Sequence, residues 1–264
     1  MTAEQLFQSL WSDYTSRLCP SAEKVHQLLQ EGPPLINDHI ALRTFNLAPL
    51  PLAKLAEPFL SLGYQAAGNY SFPSKKLRAQ HFEHPDPLQP KVFISELKVS
   101  ECSTVLQRIV TKLVKQVALS PRIHHDFLYS GRLWDISYAD YLTLAQESEY
   151  AAWVAAHGYG ANHFTVSINS LSAFDDVKAI NDYLRHVGFS INDSGGEVKG
   201  SPAVLLEQSS TMADLVPVEF SDRCERVPGG FYEFAKRYPM ENGLLYQGFV
   251  AASADKIFES TNRK

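Results

Sequence analysis

Cysteine is scarce and unpatterned in this chain. Cys19, Cys102 and Cys224 are the three among 264 residues, and no two form a Cys-x-x-Cys pair. That excludes a disulfide scaffold and a zinc ribbon, and the expected state is reduced thiols in a cytoplasmic protein. An excess of positive charge is also missing: 24 Lys+Arg stand against 29 Asp+Glu, for a formal net charge of -5. A general nucleic-acid binder needs a basic footprint, so no nucleic-acid partner is expected. Apolar runs are short. None approaches the roughly 18 residues of a membrane span, so no membrane partner is expected. The first residues carry Glu4 and Asp13 instead of a signal-peptide core. Common enzyme signatures are absent too: no GxGxxG, P-loop, GxSxG, HExxH or kinase pattern occurs. Gly195-Gly196 and Gly229-Gly230 read as turn glycines.

What is present is an ordinary globular composition, 45% hydrophobic and 20% charged. At roughly 150 residues per domain the length allows about 1.8 domains. Helical spacing marks the first thirty residues, with Ser21 as the expected N-cap of a helix over 21–29, and a break at 31–34. From residue 35 the period becomes that of strands. A strand to Phe45, a helix over 52–62, and strands over 64–70, 77–83 and 91–99 spell β-α-β-β-β. Helices over 105–118, stopping at Pro121, and 138–157 follow, too apolar to be a solvated linker. The first pattern then returns: a strand over 162–169, a helix over 172–187, and strands over 189–192, 203–209, 215–221 and 230–236. One or two helices are expected over 240–257.

The internal repeat pairs particular residues. His39 and His163 each stand near the start of a unit's first strand. Glu96 and Glu233 each lie inside an apolar final strand. A carboxylate in such a strand is costly unless paired or bound to a cation. Lys236 or Arg237 could pair with Glu233, and Lys91 or Lys98 with Glu96. Two imidazoles and one carboxylate with open positions are the ligand set of non-haem Fe(II) oxygenases, and Zn²⁺ would accept it as well. Arg43 shares a strand face with His39, about 13 Å along the backbone, where it could meet an anionic substrate. On the spacing alone, an ordinary pairing of Arg43 with Asp38 or a surface Glu stands ahead of that role. His81 and His84 are expected to face different sides, His124-His125 to lie in a loop, and His26, His157 and His186 to be solvated.

Three segments carry a family resemblance: Asp38-His39-Ile40-Ala41-Leu42-Arg43-Thr44-Phe45, Asn162-His163-Phe164, and Val227-Pro228-Gly229-Gly230-Phe231-Tyr232-Glu233-Phe234-Ala235-Lys236-Arg237. Together they resemble the 2-oxoadipate dioxygenase/decarboxylase family, a branch of the vicinal oxygen chelate superfamily, over essentially the whole chain. The resemblance implies an α+β fold of two βαβββ modules forming a curved, partly open β-barrel around one metal. The modules would span 35–99 and 161–237, with a helical insertion over 100–160 and a C-terminal helical segment over 238–264, all in one structural unit. It implies His39, His163 and Glu233 as metal ligands and Arg43 as the catalytic, substrate-holding residue. Fe(II) is the implied metal, with Zn or Ni possible in the purified protein. The implied reaction converts 2-oxoadipate and O₂ to 2-hydroxyglutarate and CO₂, a step of lysine catabolism. The partners would be the small 2-oxo acid and O₂. Glu96 supplies a fourth ligand in glyoxalase-I-like members, and in the dioxygenase branch it is expected to be structural. The alternatives are a glyoxalase-like isomerase or lyase, and a non-catalytic small-molecule binding protein on the same fold.

Overall fold

Alternation along the chain becomes a single eight-stranded sheet in the computed structural model, which describes residues 1–30, 34–117 and 124–262. Its strands are β1 (Asn37–Phe45), β2 (Gln65–Phe72), β3 (Leu77–Glu83), β4 (Lys91–Leu97), β5 (Ala161–Ser167), β6 (Lys199–Ser201), β7 (Leu206–Ser210) and β10 (Phe231–Arg237). Between the last two, β8 (Leu215–Glu219) and β9 (Cys224–Pro228) form a separate hairpin. The helices are α1 (Ala3–Asp13), α2 (Pro20–Leu29), α3 (Leu52–Ser61), α4 (Thr104–Val114), α5 (Tyr138–Glu147), α6 (Glu149–His157), α7 (Val177–His186) and α8 (Ala251–Ile257).

The repeat is explicit in the strand pairing. The sheet order is β2-β3-β4-β1-β5-β10-β7-β6. β1 runs parallel to β4, which continues antiparallel through β3 to β2. β5 likewise runs parallel to β10, which continues antiparallel through β7 to β6. The antiparallel β1–β5 pair joins the two halves, and the sheet curls into a half-barrel. The α+β class and the curved sheet therefore agree with expectation. Alternation puts His39, Ala41 and Arg43 of β1 on the concave face, and Ile40 and Leu42 into the apolar layer behind it.

Several elements differ from the sequence reading. The helix over 138–157 is two helices, because Ser148 leaves the helical region (φ -147°) and its hydroxyl caps α6 by accepting from Ala151 N. The helix expected from 172 begins at Val177, where Asp176 accepts from Ala179 N at 2.7 Å. Cys19, rather than Ser21, occupies the N-cap position of α2. The strand over 189–192 reduces to one bridge, Ile191 to Thr211. β6 and β9 had no counterpart in the sequence reading, and the strand over 203–209 starts only at Leu206. The segment over 240–257 is helical only at Ala251–Ile257, with a 3₁₀ turn after it. Residues 31–33 of the break expected at 31–34, and the stop at Pro121, lie outside the described residues.

The start of β10 is held from outside. Gly230 N donates to Leu18 O at 2.6 Å, and Tyr14 Oη donates to Phe231 O. A Cβ on Gly229 would stand 2.2 Å from Leu18 O, and one on Gly230 2.8 Å from Asn162 O. Only glycines let the N-terminal helices approach this closely.

Candidate metal centre

His39 on β1, His163 on β5 and Glu233 on β10 come from both halves of the sheet and meet on its concave face. Their ligand atoms all lie within 4.8 Å of one another. His39 Nε2 is 3.5 Å from Glu233 Oε1, and His163 Nε2 is 3.1 Å from Glu233 Oε2. All three residues are buried.

The surroundings fix each group. β1 carries one residue more than β5 at Asn37–His39, and the extra residue, Asp38, is thereby free to turn toward its neighbour. Asp38 Oδ1 accepts from His39 Nδ1 at 2.7 Å. Asn162 Oδ1 accepts from His163 Nδ1 at 3.1 Å. With each Nδ1 protonated, each Nε2 presents a lone pair toward the carboxylate. Thr165 Oγ1 lies 3.1 Å from His39 Nε2 and donates to it. Gln208 Nε2 donates to Glu233 Oε1 at 2.6 Å, while Glu233 Oε2 has no hydrogen-bond donor. Phe249 meets the His39 ring edge-on, and Phe231 packs against His163.

Electrostatics follow from burial. Desolvation pushes the Glu233 carboxyl up to about 8, against the pull of the Gln208 hydrogen bond. Desolvation also lowers both histidines. For His39 the contact with Asp38 opposes it, whereas for His163 the neighbouring His39 and Arg43 reinforce it. Burial would raise Asp38, but the Arg237 guanidinium and His39 hold it well below the usual carboxylate range. Two neutral imidazoles therefore point lone pairs at the two oxygens of one carboxylate, and the oxygen facing His163 lacks a donor among the described residues. Such an arrangement is repulsive until a proton or a cation sits among them, and the donor set fits a divalent metal.

A narrow cavity extends from this cluster. Its walls are mainly apolar, including Ala41, Phe93, Phe249, Ala254, Ile257 and Phe258. Arg43 also lines it and is the one Lys or Arg among the described lining residues. The Arg43 guanidinium lies over the rings of Tyr150, Trp153 and Phe258, at 5.0, 5.2 and 5.5 Å. Its Nη1 donates to Glu149 Oε1 at 3.2 Å and its Nη2 to Thr261 Oγ1 at 3.1 Å. α6, from the helical insertion, thus encloses the Arg43 end of the cavity.

Glu96 lies elsewhere. Phe93 and Ser95 of β4 face the cavity, so alternation turns Glu96 away. Its Oε2 accepts from Leu52 N at 2.6 Å at the start of α3, and its Oε1 pairs with Arg78. It is structural, and its partner is neither Lys91 nor Lys98. The pairings weighed for Glu233 and Arg43 also fall differently. Arg237 binds Asp38, and Lys236 reaches Asp175 O. His157 is buried rather than solvated, with Nε2 donating to Pro228 O at 2.7 Å, and His26 is half-buried against Tyr232 Oη. His186 is exposed as expected. His81 is buried between Tyr70 and Glu83, while His84 Nε2 donates to Leu62 O. Asp38, Arg237, Thr165, Gln208, Phe249 and Glu149 escaped the sequence reading. The position of Asp38 beside His39 was the available signal.

The family model described as 2-oxoadipate dioxygenase/decarboxylase matches residues 9–243. A chloroplastic/amyloplastic 2-oxoadipate dioxygenase/decarboxylase of Oryza sativa subsp. japonica is 36% identical over 294 residues, covering 98% of this chain and 80% of that protein. The crystal structure of the Oryza sativa hydroxyglutarate synthase in complex with 2-oxoadipate superposes with a TM-score of 0.91 at 34% identity, covering 97% of this chain and 91% of the other. A provisionally assigned hydrolase from Shewanella frigidimarina superposes with a TM-score of 0.90 at 58% identity, covering 95% and 98%.

Proposed function

The chain belongs to the 2-oxoadipate dioxygenase/decarboxylase family, and from that premise we propose that it converts 2-oxoadipate and O₂ to 2-hydroxyglutarate and CO₂ at an Fe(II) ion held by His39, His163 and Glu233. The observation that carries this reading is that His39 Nε2 and His163 Nε2 face the two oxygens of Glu233, of which Oε2 lacks a donor among the described residues, on an apolar cavity that Arg43 also lines. When bound, Fe(II) would supply Lewis acidity toward the 2-oxo acid and electrons for O₂. The rest belongs to the chain's own residues. Arg43 pairs with the distal carboxylate of the substrate. Phe93, Phe249 and Phe258 keep water from the reacting end. Asp38 and Asn162 hold the imidazoles in the tautomer that leaves Nε2 open, and Gln208 keeps Glu233 Oε1 in place.

The whole chain acts as one unit on this reading, because the ligands come from both modules, 35–99 and 161–237. The widely spaced thiols support a cytoplasmic location, and the substrate supports a role in lysine catabolism. The isomerase alternative is disfavoured by the engagement of Glu96 with Leu52 N and Arg78.

Oxygen uptake by the Fe(II)-loaded protein is the test. Addition of 2-oxoadipate should consume O₂ and release CO₂ and 2-hydroxyglutarate in equal amounts. Absence of uptake, with turnover of a thiol adduct instead, would establish the isomerase. His39→Ala should abolish metal binding. Arg43→Ala should keep the metal and lose the substrate.

A further inference from the structure

Arg43 is enclosed by three aromatic rings, and its side chain is 1% exposed. A charge so placed needs a counter-charge. Glu149 supplies one, but through a single contact of Nη1 at 3.2 Å instead of a two-pronged pair. Among the described residues, Nε of Arg43 has no partner. The guanidinium is therefore under-satisfied where a carboxylate would use two parallel donors.

The position of Glu149 is equally specific. It is the first residue of α6 and its side chain is 28% exposed. Arg43 lines the metal-centre cavity and Glu149 does not. Glu149 instead lines two outer clefts, which also share Asn262. Arg43 thus stands as a partition, with the cavity on one side and Glu149 on the solvent side. A carboxylate arriving through the cavity meets an arginine whose charge is already partly answered from behind. The outer clefts give Glu149 room to withdraw.

We propose that Glu149 is the internal counter-ion that Arg43 exchanges for the distal carboxylate of the substrate. In that role Glu149 is a positioning residue that weakens every anion at Arg43 alike. A 2-oxo diacid, anchored at both ends, displaces it. An anion anchored only at Arg43 displaces it at a cost in affinity that no second anchor offsets. The inference rests on the reading of Arg43 as the substrate clamp, and the test separates the two.

The probe is glutarate, a dicarboxylate without a 2-oxo group, titrated into metal-free protein and followed by the fluorescence of Trp153, which lies against Arg43. No metal chemistry enters the measurement. Glu149→Gln keeps the shape and removes the charge, and it should bind glutarate about tenfold tighter than the unmodified chain. Glu149→Ala should shift affinity in the same direction, with melting temperature monitored to show that both variants are folded. Arg43→Gln should lose the binding. Unchanged or weaker binding by the folded Glu149 variants, with binding still lost in Arg43→Gln, overturns the counter-ion role alone. Glutarate that binds none of these proteins, or binds Arg43→Gln as well as the unmodified chain, overturns the clamp reading and the counter-ion role together.

Discussion

Arg237 grips Asp38 with two parallel bonds, Nε to Oδ2 at 2.6 Å and Nη2 to Oδ1 at 2.9 Å, in a pair that is almost wholly buried. The remaining nitrogen of Arg237 donates to Tyr246 O and Gly248 O. Asp38 in turn holds His39. One carboxylate thus ties the last strand, the loop bearing Phe249 and a candidate metal ligand together. Asp38→Asn should cost about 3–5 kcal/mol of stability, because it strands a buried guanidinium. Its metal affinity should fall roughly 10–100-fold as the His39 ring loses its anchor. Denaturant unfolding and a metal titration on the same samples check both.

Metal uptake should release a proton near neutral pH. Burial holds the Glu233 carboxyl up to about 8, while His39 and His163 are already neutral. The incoming cation therefore competes with the Glu233 proton. Apparent affinity should rise about tenfold per pH unit toward pH 8 and then level. For the metal-free fold the sign is opposite. A carboxyl raised from 4.5 to about 8 binds more protons folded than unfolded, so its contribution to stability falls as pH rises through that window. Calorimetric titration in buffers of different ionisation enthalpy measures the proton, and Glu233→Gln should abolish its release.

Glu96→Gln distinguishes a structural carboxylate from a ligand. It weakens the cap on Leu52 N and the pair with Arg78. Stability should fall by about 1–3 kcal/mol. Metal stoichiometry should stay unchanged, and a loss of metal would return Glu96 to the site.

His157 provides a pH dependence remote from the metal centre. Burial lowers it from 6.5 to about 3. The unfolded chain therefore binds the extra proton first, and stability should fall as pH drops from about 6.5 toward 3, by up to about 1.4 kcal/mol per unit. His157→Gln keeps a donor for Pro228 O and should flatten that slope in acid-unfolding curves.

The strands that build the centre are legible in the sequence because they are buried on both faces and so read as nearly continuous apolar runs. β3 runs from Leu77 to Glu83 as expected, and β1, β4, β5 and β10 depart by a residue or two at their ends. The repeat lies in the order of strand pairing, which places His39 on β1 and His163 on β5, the matched first strands of the two halves. What was missed has physical causes. Ser148 lies mid-pattern, and its hydroxyl ends one helix by capping the next. β9 alternates weakly and is mostly exposed, so it carries no apolar signal. The pairing of Asp38 with Arg237 spans 199 residues, and no local pattern encodes it.

The spacing of His39 and Arg43 carries one more consequence. Both side chains leave the same face of β1, four residues apart, so the gap between the two ends of the bound molecule is set by the pleat of a strand paired on both sides. On the proposed reading β1 is a ruler. Swapping Phe93 or Phe258 alters how tightly a chain is held, but not the length measured. A relative that handles longer diacids would have to move its arginine along the strand, not merely widen its walls.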